Sequence, residues 1–190
     1  MAQHIDSVRT SGITLVNRAG FYTAMRPGDL VFCWGSPLIS KAIEDFTHGP
    51  SHVLKVWLPW STGPWLTFEA EFGKGVRFGK FDDYMNYPGD IVLCRRSLTI
   101  EQIEAELTYG ATLLDEAYDT IEFFSLIARD ICSKLPLIQP EHELFCSGAQ
   151  QAVAKKSIPF DVPDRPWANP KQLYTEASVT AICAMLQGSK

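Results

Sequence analysis

The 190-residue sequence predicts a single α+β domain built around a small antiparallel sheet. Three observations carry that expectation. Short apolar runs bounded by Gly, Pro and Asp turns fill the first half of the chain. Segments with helical spacing fill the second half, and no low-complexity linker separates the two. The length suits one domain with a real core and is short for two.

Residues 1–25 read as an N-terminal extension without an assigned role, holding a short strand at Ile13-Thr14-Leu15-Val16 and an Asn-Arg-Ala-Gly turn. Pro27-Gly28-Asp29 launches the buried run Leu30-Val31-Phe32-Cys33-Trp34, and Pro88-Gly89-Asp90 launches Ile91-Val92-Leu93-Cys94-Arg95 in the same way. Between them, Ser36-Pro37 opens a helix carrying Ile39, Ile43 and Phe46. Three further strands follow at 51–58, 65–72 and 76–78. Thr99 with Gln102 forms a capping box ahead of Ile100, Ile103, Leu107 and Leu114. A second helix is expected through Ile127 to Leu135, and a third from Cys146 to about Lys156. Prolines dominate 159–170, and the spacing predicts a last helix over 177–190, packed on the same domain as residues 26–176.

Composition removes several classes of function. A net charge of −5 and a pI of about 5.3 leave no basic field for nucleic acid. No run approaches the roughly 18 apolar residues of a membrane span. The N-terminus lacks the pattern of a secretory signal, so a cytoplasmic location is expected, with export by a route that needs no signal peptide or a phage origin as the alternative. Five cysteines without a Cys-x-x-Cys pair fit reduced thiols better than a disulfide framework or a four-thiolate zinc site. His48 and His52 are separated by Gly49-Pro50, which denies them the shared helical face of a metal pair, so no metal and no cofactor are expected.

Cys146 stands where an extended approach meets the first turn of a helix. Unpaired backbone N–H groups there carry partial positive charge and favour a thiolate. A thiol nucleophile needs a base, and the base needs a third group to orient it. Of the four histidines, His52 alone begins an apolar strand that would hold its ring rigidly; His142 is the main rival. If strands 52–58 and 63–69 pair around a four-residue loop, Glu69 lies directly opposite His52 and is placed to accept its Nδ1 proton. A six-residue loop puts Glu71 there instead, and spacing alone leaves both open. Cys33, Cys94, Cys132 and Cys183 lie in apolar patterns and are expected in the core. Trp57, Trp60 and Trp65 surround the hairpin loop, either as packing or as an apolar lip for substrate.

The ordered set Gly28-Asp29-Leu30-Val31-Phe32, Ser51-His52-Val53, Phe68-Glu69-Ala70, Gly75-Val76, Tyr118-Asp119, Phe145-Cys146-Ser147 and Asn169-Pro170-Lys171-Gln172-Leu173 resembles the circularly permuted papain-like hydrolases of the YiiX/YaeF type. These are relatives of NlpC cell-wall peptidases and, more distantly, of lecithin–retinol acyltransferases. The resemblance covers about residues 26 to 175. It implies a papain-like fold with the histidine on the sheet and the cysteine at a helix N-terminus. It places the nucleophile on Cys146, the base on His52 and the third residue on Glu69; Ser51, Tyr118 and Trp60 are further candidates to contact substrate. The implied activity is cofactor-free cleavage of an amide bond in a peptidoglycan-derived or other small peptide. Lipid-directed acyl transfer, thioesterase or amidase chemistry is the alternative on the same fold, and a non-catalytic groove-binding protein is a third. Two departures stand out: Gly148 where relatives often carry Glu, and Leu54-Lys55 in place of Gly-Ile.

Overall fold

Leu30–Cys33 reads as an unbroken apolar run because both of its faces are buried; it is strand β2, at the centre of the sheet. The computed structural model describes residues 13–35, 49–59, 65–116, 145–162, 169–176 and 178–185. Strands β1 (Thr14–Leu15), β3 (His52–Pro59), β4 (Trp65–Glu71), β5 (Gly75–Lys80), β6 (Ile91–Arg96) and β7 (Val179–Met185) complete one mixed sheet in the order β1-β7-β6-β2-β3-β4-β5. Every pairing is antiparallel except β1 with β7.

Alternation along the central strands sends side chains to two cores. Val31, Cys33, Leu54, Val56, Ile91 and Leu93 face one layer, with Phe21 of helix α1 (Arg18–Ala24) and Phe81, Tyr84 and Met85 of the 3-10 segment Phe81–Asn86. Leu30, Phe32, Val53, Val92 and Cys94 face the other, where helices α2 (Ile100–Ala111), α3 (Cys146–Ala154) and α4 (Pro170–Thr175) pack. The capping box on α2 forms as expected: Thr99 Oγ1 accepts from the Gln102 amide, and Gln102 returns the bond.

The two Pro-Gly-Asp turns serve neighbouring antiparallel strands but use their glycines differently. Gly28 has φ +85°, a left-handed turn conformation. Gly89 instead lies against the Trp34 carbonyl, where a Cβ would overlap it.

Two expectations are corrected. Residues 179–185 form strand β7, not a helix, because an antiparallel ladder with β6 and a parallel one with β1 outweigh the helical spacing of its apolar residues. Residues 18–24 form a helix rather than a turn, with Asn17 accepting from the Gly20 amide as its N-cap. The helices expected after Gly35 and through Ile127, along with His48, Cys132 and His142, lie outside the described residues.

Buried charge secures the helical layer. Lys55, on β3, points into it and donates to Glu106 Oε2 of α2 at 2.5 Å, while Arg96 Nη1 donates to Glu106 Oε1 at 2.9 Å. Ser157, just beyond α3, also donates to Glu106, and Arg96 donates to the Ile158 carbonyl while its guanidinium lies over the Phe160 ring. The cluster therefore ties β3, β6 and α2 to the far end of the helix that begins at Cys146.

Candidate active site

His52 opens β3, and its ring nitrogen Nε2 lies 3.2 Å from Glu69 Oε2 of β4. The register that achieves this is not the one in which Glu69 faces His52 directly. Lys55 pairs with Phe68 and Val56 with Thr67, so the same ladder carried outward sets His52 across from Glu71. That is the register of the longer loop. Glu69 is the diagonal neighbour on the same face and is long enough to reach the ring. It meets Nε2 rather than Nδ1.

Cys146 is the first residue of α3 and is 2% exposed. Its N-cap, Phe145, offers no capping side chain to the helix start. The Cys146 side chain lies close enough to the His52 imidazole to shift its titration. Burial by itself pulls the ring toward neutrality. Cys146 and Glu69, by accepting from the ring and by the negative charge each can carry, reverse this and push His52 up to about 10. Burial likewise favours the neutral form of Glu69, but His52, then the Tyr84 hydroxyl and Arg77, hold its carboxylate below the ordinary range.

Two residues that spacing did not single out complete the surroundings of Glu69. Tyr84 donates its hydroxyl hydrogen to Oε2 and stacks parallel to the His52 ring, with centroids 6.2 Å apart. Arg77 Nη2 lies 2.9 Å from Oε1 and also pairs with Glu71, which in turn holds Lys74 at 2.6 Å. Arg77 was legible in principle: counting back from the Gly73-Lys74-Gly75 turn puts it opposite Glu69, an opposite-charge cross-strand pair. Tyr84 gave no such signal, because it arrives from a separate segment.

Thr67 and Glu69 are fully buried, so this strand face is not a solvated one. Gly79, paired with Thr67, makes room for them: a Cβ there would overlap Glu69 Oε1 and lie 2.6 Å from Thr67 Oγ1. Gly79→Ala is expected to cost about 1–3 kcal/mol in urea unfolding by overpacking. It should also lower the protonation midpoint of His52, followed by NMR, as the carboxylate is displaced.

Of the other expected site residues, Ser51 is buried and its hydroxyl donates to the Cys33 carbonyl at 3.2 Å. Tyr118 and Trp60 lie outside the described residues. Trp57 is buried against Phe68 and Phe78, and Trp65 packs against the core. Cys33, Cys94 and Cys183 are buried thiols outside any disulfide.

Among solved structures, the chain is similar to metalloprotein yiiX from Escherichia coli O157:H7, with a TM-score of 0.61 at 18% sequence identity. The match covers 83% of this chain and 96% of that one, and at this identity it shows a shared fold alone. No protein-family model and no curated protein matches the sequence.

Proposed function

We propose that this chain is a thiol hydrolase with a permuted papain-like fold, cleaving an amide bond through an acyl-enzyme. The observation that best supports this reading is a single imidazole engaged by both Cys146 and Glu69. In this reading His52 takes the Cys146 proton, and the thiolate attacks the carbonyl carbon to form a C–S bond. Backbone N–H groups at the start of α3 stabilise the oxyanion. The His52 imidazolium then gives its proton to the departing amine as the C–N bond breaks. Water, deprotonated by the same ring, attacks the thioester and regenerates the thiol. Glu69 keeps the ring oriented and stabilises its positive form.

Among the described residues no three His, Cys, Asp or Glu side chains are grouped to hold a metal ion. No step here runs through a metal. No described helix is long and apolar enough to cross a membrane. Trp57 is buried and Trp65 partly buried against the core; the substrate of this reading is a small peptide amide, such as a cell-wall stem peptide, with an acyl lipid as the alternative.

The test begins with thiol chemistry. Near neutral pH, iodoacetamide is expected to modify Cys146 well ahead of Cys33 and Cys183; equal rates would sink the reading. Muropeptides and acyl lipids offered side by side then identify the carbonyl.

A pH dependence follows from the raised His52 value. A ring that holds its proton to about 10 can still protonate a leaving group well above 6.5, so hydrolysis is expected to fall only as pH passes about 10. The stability that the charged ring gains from its partners is fully present below 6.5 and is lost as pH rises toward 10. Glu69→Gln removes one of those partners, and the NMR-measured midpoint of His52 should drop back toward 6.5.

A further inference from the structure

We propose that Tyr84 is a positioning residue that divides Glu69 Oε2 between two donors and so limits how tightly Glu69 holds the hydrogen on His52. The inference rests on the reading of His52 as the proton carrier of Cys146.

The geometry around one oxygen carries it. Glu69 Oε2 accepts from the Tyr84 hydroxyl and from His52 Nε2 at 3.2 Å, while the Tyr84 oxygen itself lies 3.3 Å from Nε2. The Tyr84 hydroxyl donates to Glu69 Oε2, which can only accept, so its hydrogen belongs to Glu69 and not to the ring. A carboxylate only accepts, so Nε2 supplies its own hydrogen to that oxygen, which leaves Nδ1 as the nitrogen for Cys146. Two donors on one oxygen share its charge, and each bond is weaker than it would be alone. Oε1 lies 2.9 Å from Arg77 Nη2 in an ion pair, and the ring's contact is with Oε2 alone.

Tyr84 is suited to a fixed donor role. Its ring packs against Phe81 and Tyr87, which sets the hydroxyl over Glu69. Burial, then the charge of Glu69, raises its own ionisation well above the usual range, so the hydroxyl keeps its hydrogen where His52 titrates. The charged and titratable groups facing the pair are Cys146 from α3, Cys33 from β2, Glu69 and Glu71 from β4, and Arg77 from β5. The chemical consequence concerns the step in which the leaving amine departs. An imidazolium gripped by an undivided carboxylate is a poorer acid, and Tyr84 keeps that grip moderate.

The experiment is an NMR titration of the His52 ring in the intact protein, which needs no substrate. Tyr84→Phe keeps the packed ring and removes only the hydroxyl. The midpoint is expected to rise from about 10 by about half a pH unit, the equivalent of part of one hydrogen bond. With an amide substrate, kcat falls about fivefold, the worth of roughly 1 kcal/mol, while KM holds. In a Glu69→Gln background the same substitution should move nothing further. Fluorination of this one tyrosine at its 3-position makes the hydroxyl a stronger donor and is expected to move the midpoint downward. It also stands in if Tyr84→Phe fails to fold.

A midpoint that stays put or falls in Tyr84→Phe overturns the proposal, and so does an effect that persists without Glu69. Two substitutions moving the midpoint the same way do the same. A wild-type midpoint near 6.5, together with slow Cys146 alkylation, overturns the thiol-hydrolase reading and this inference with it. A wild-type midpoint near 10 with no Tyr84 effect removes the inference alone.

Discussion

Cys146→Ala is expected to reduce amide hydrolysis about ten-thousand-fold or more, with a melting temperature within a few degrees of wild type. Every covalent step of the proposed reaction passes through its sulfur, so no neighbouring group inherits the role. Cys33 is itself buried and hydrogen-bonded through strand β2, and it opens no helix. His52→Ala should cost nearly as much, and the double variant little more, because the two residues act as one unit. Folding should survive, since the change deletes one sulfur at the edge of a helix whose buried Ala149, Val153 and Ala154 carry the packing. The measurement is hydrolysis of a muropeptide amide beside a thermal melt. Retained hydrolysis with an intact fold would end the nucleophile assignment.

The largest effect on stability is expected from Glu106→Ala. The substitution leaves Lys55 and Arg96, both buried, without the carboxylate they share. Removing one partner from a buried ion pair costs about 3–5 kcal/mol, because the desolvated charge that remains has nothing to offset it. At this chain length that is a fall in melting temperature of roughly 6–20 °C. The informative control replaces the cluster with apolar side chains: Lys55→Met, Arg96→Met and Glu106→Leu together should recover most of the loss. A mild effect of Glu106→Ala would mean that water reaches the cluster. Burial resists the charge on Glu106, but Lys55 first, then Ser157 and Arg96, hold its carboxylate below 4.5. The stability it provides is therefore complete above 4.5 and drains away as pH falls through its lower folded value.

Local chemistry made much of this molecule readable. The Thr99–Gln102 box, the doubly buried runs of β2 and β6, and the helix beginning at Cys146 each carry their signal within a few residues. His52 was legible as a strand opener, and Glu69 as a residue on the neighbouring strand facing the same way. What escaped depends on distant partners. Residues 179–185 take strand geometry because β6 and β1 offer ladders on both sides, a fact absent from their own periodicity. Lys55 owes its place inside the helical layer to Glu106, far along the chain, a partner its own strand does not reveal. The hairpin register turned on an irregularity between Val56 and Pro59 that spacing does not encode. Tyr84 joins the site through a fold-level coincidence of three segments.

The position of β7 between β1 and β6 has a consequence for biosynthesis. A ribosome delivers β1 and β6 long before it delivers residues 179–185, and no ladder joins those two strands without the late arrival. During that interval β6 carries a bare row of amide and carbonyl groups, the kind of edge that recruits other strands. Long-range closure of this sort slows folding and prolongs exposure of the half-finished sheet. The thiol of Cys146 thus emerges from the ribosome before the sheet behind it is complete.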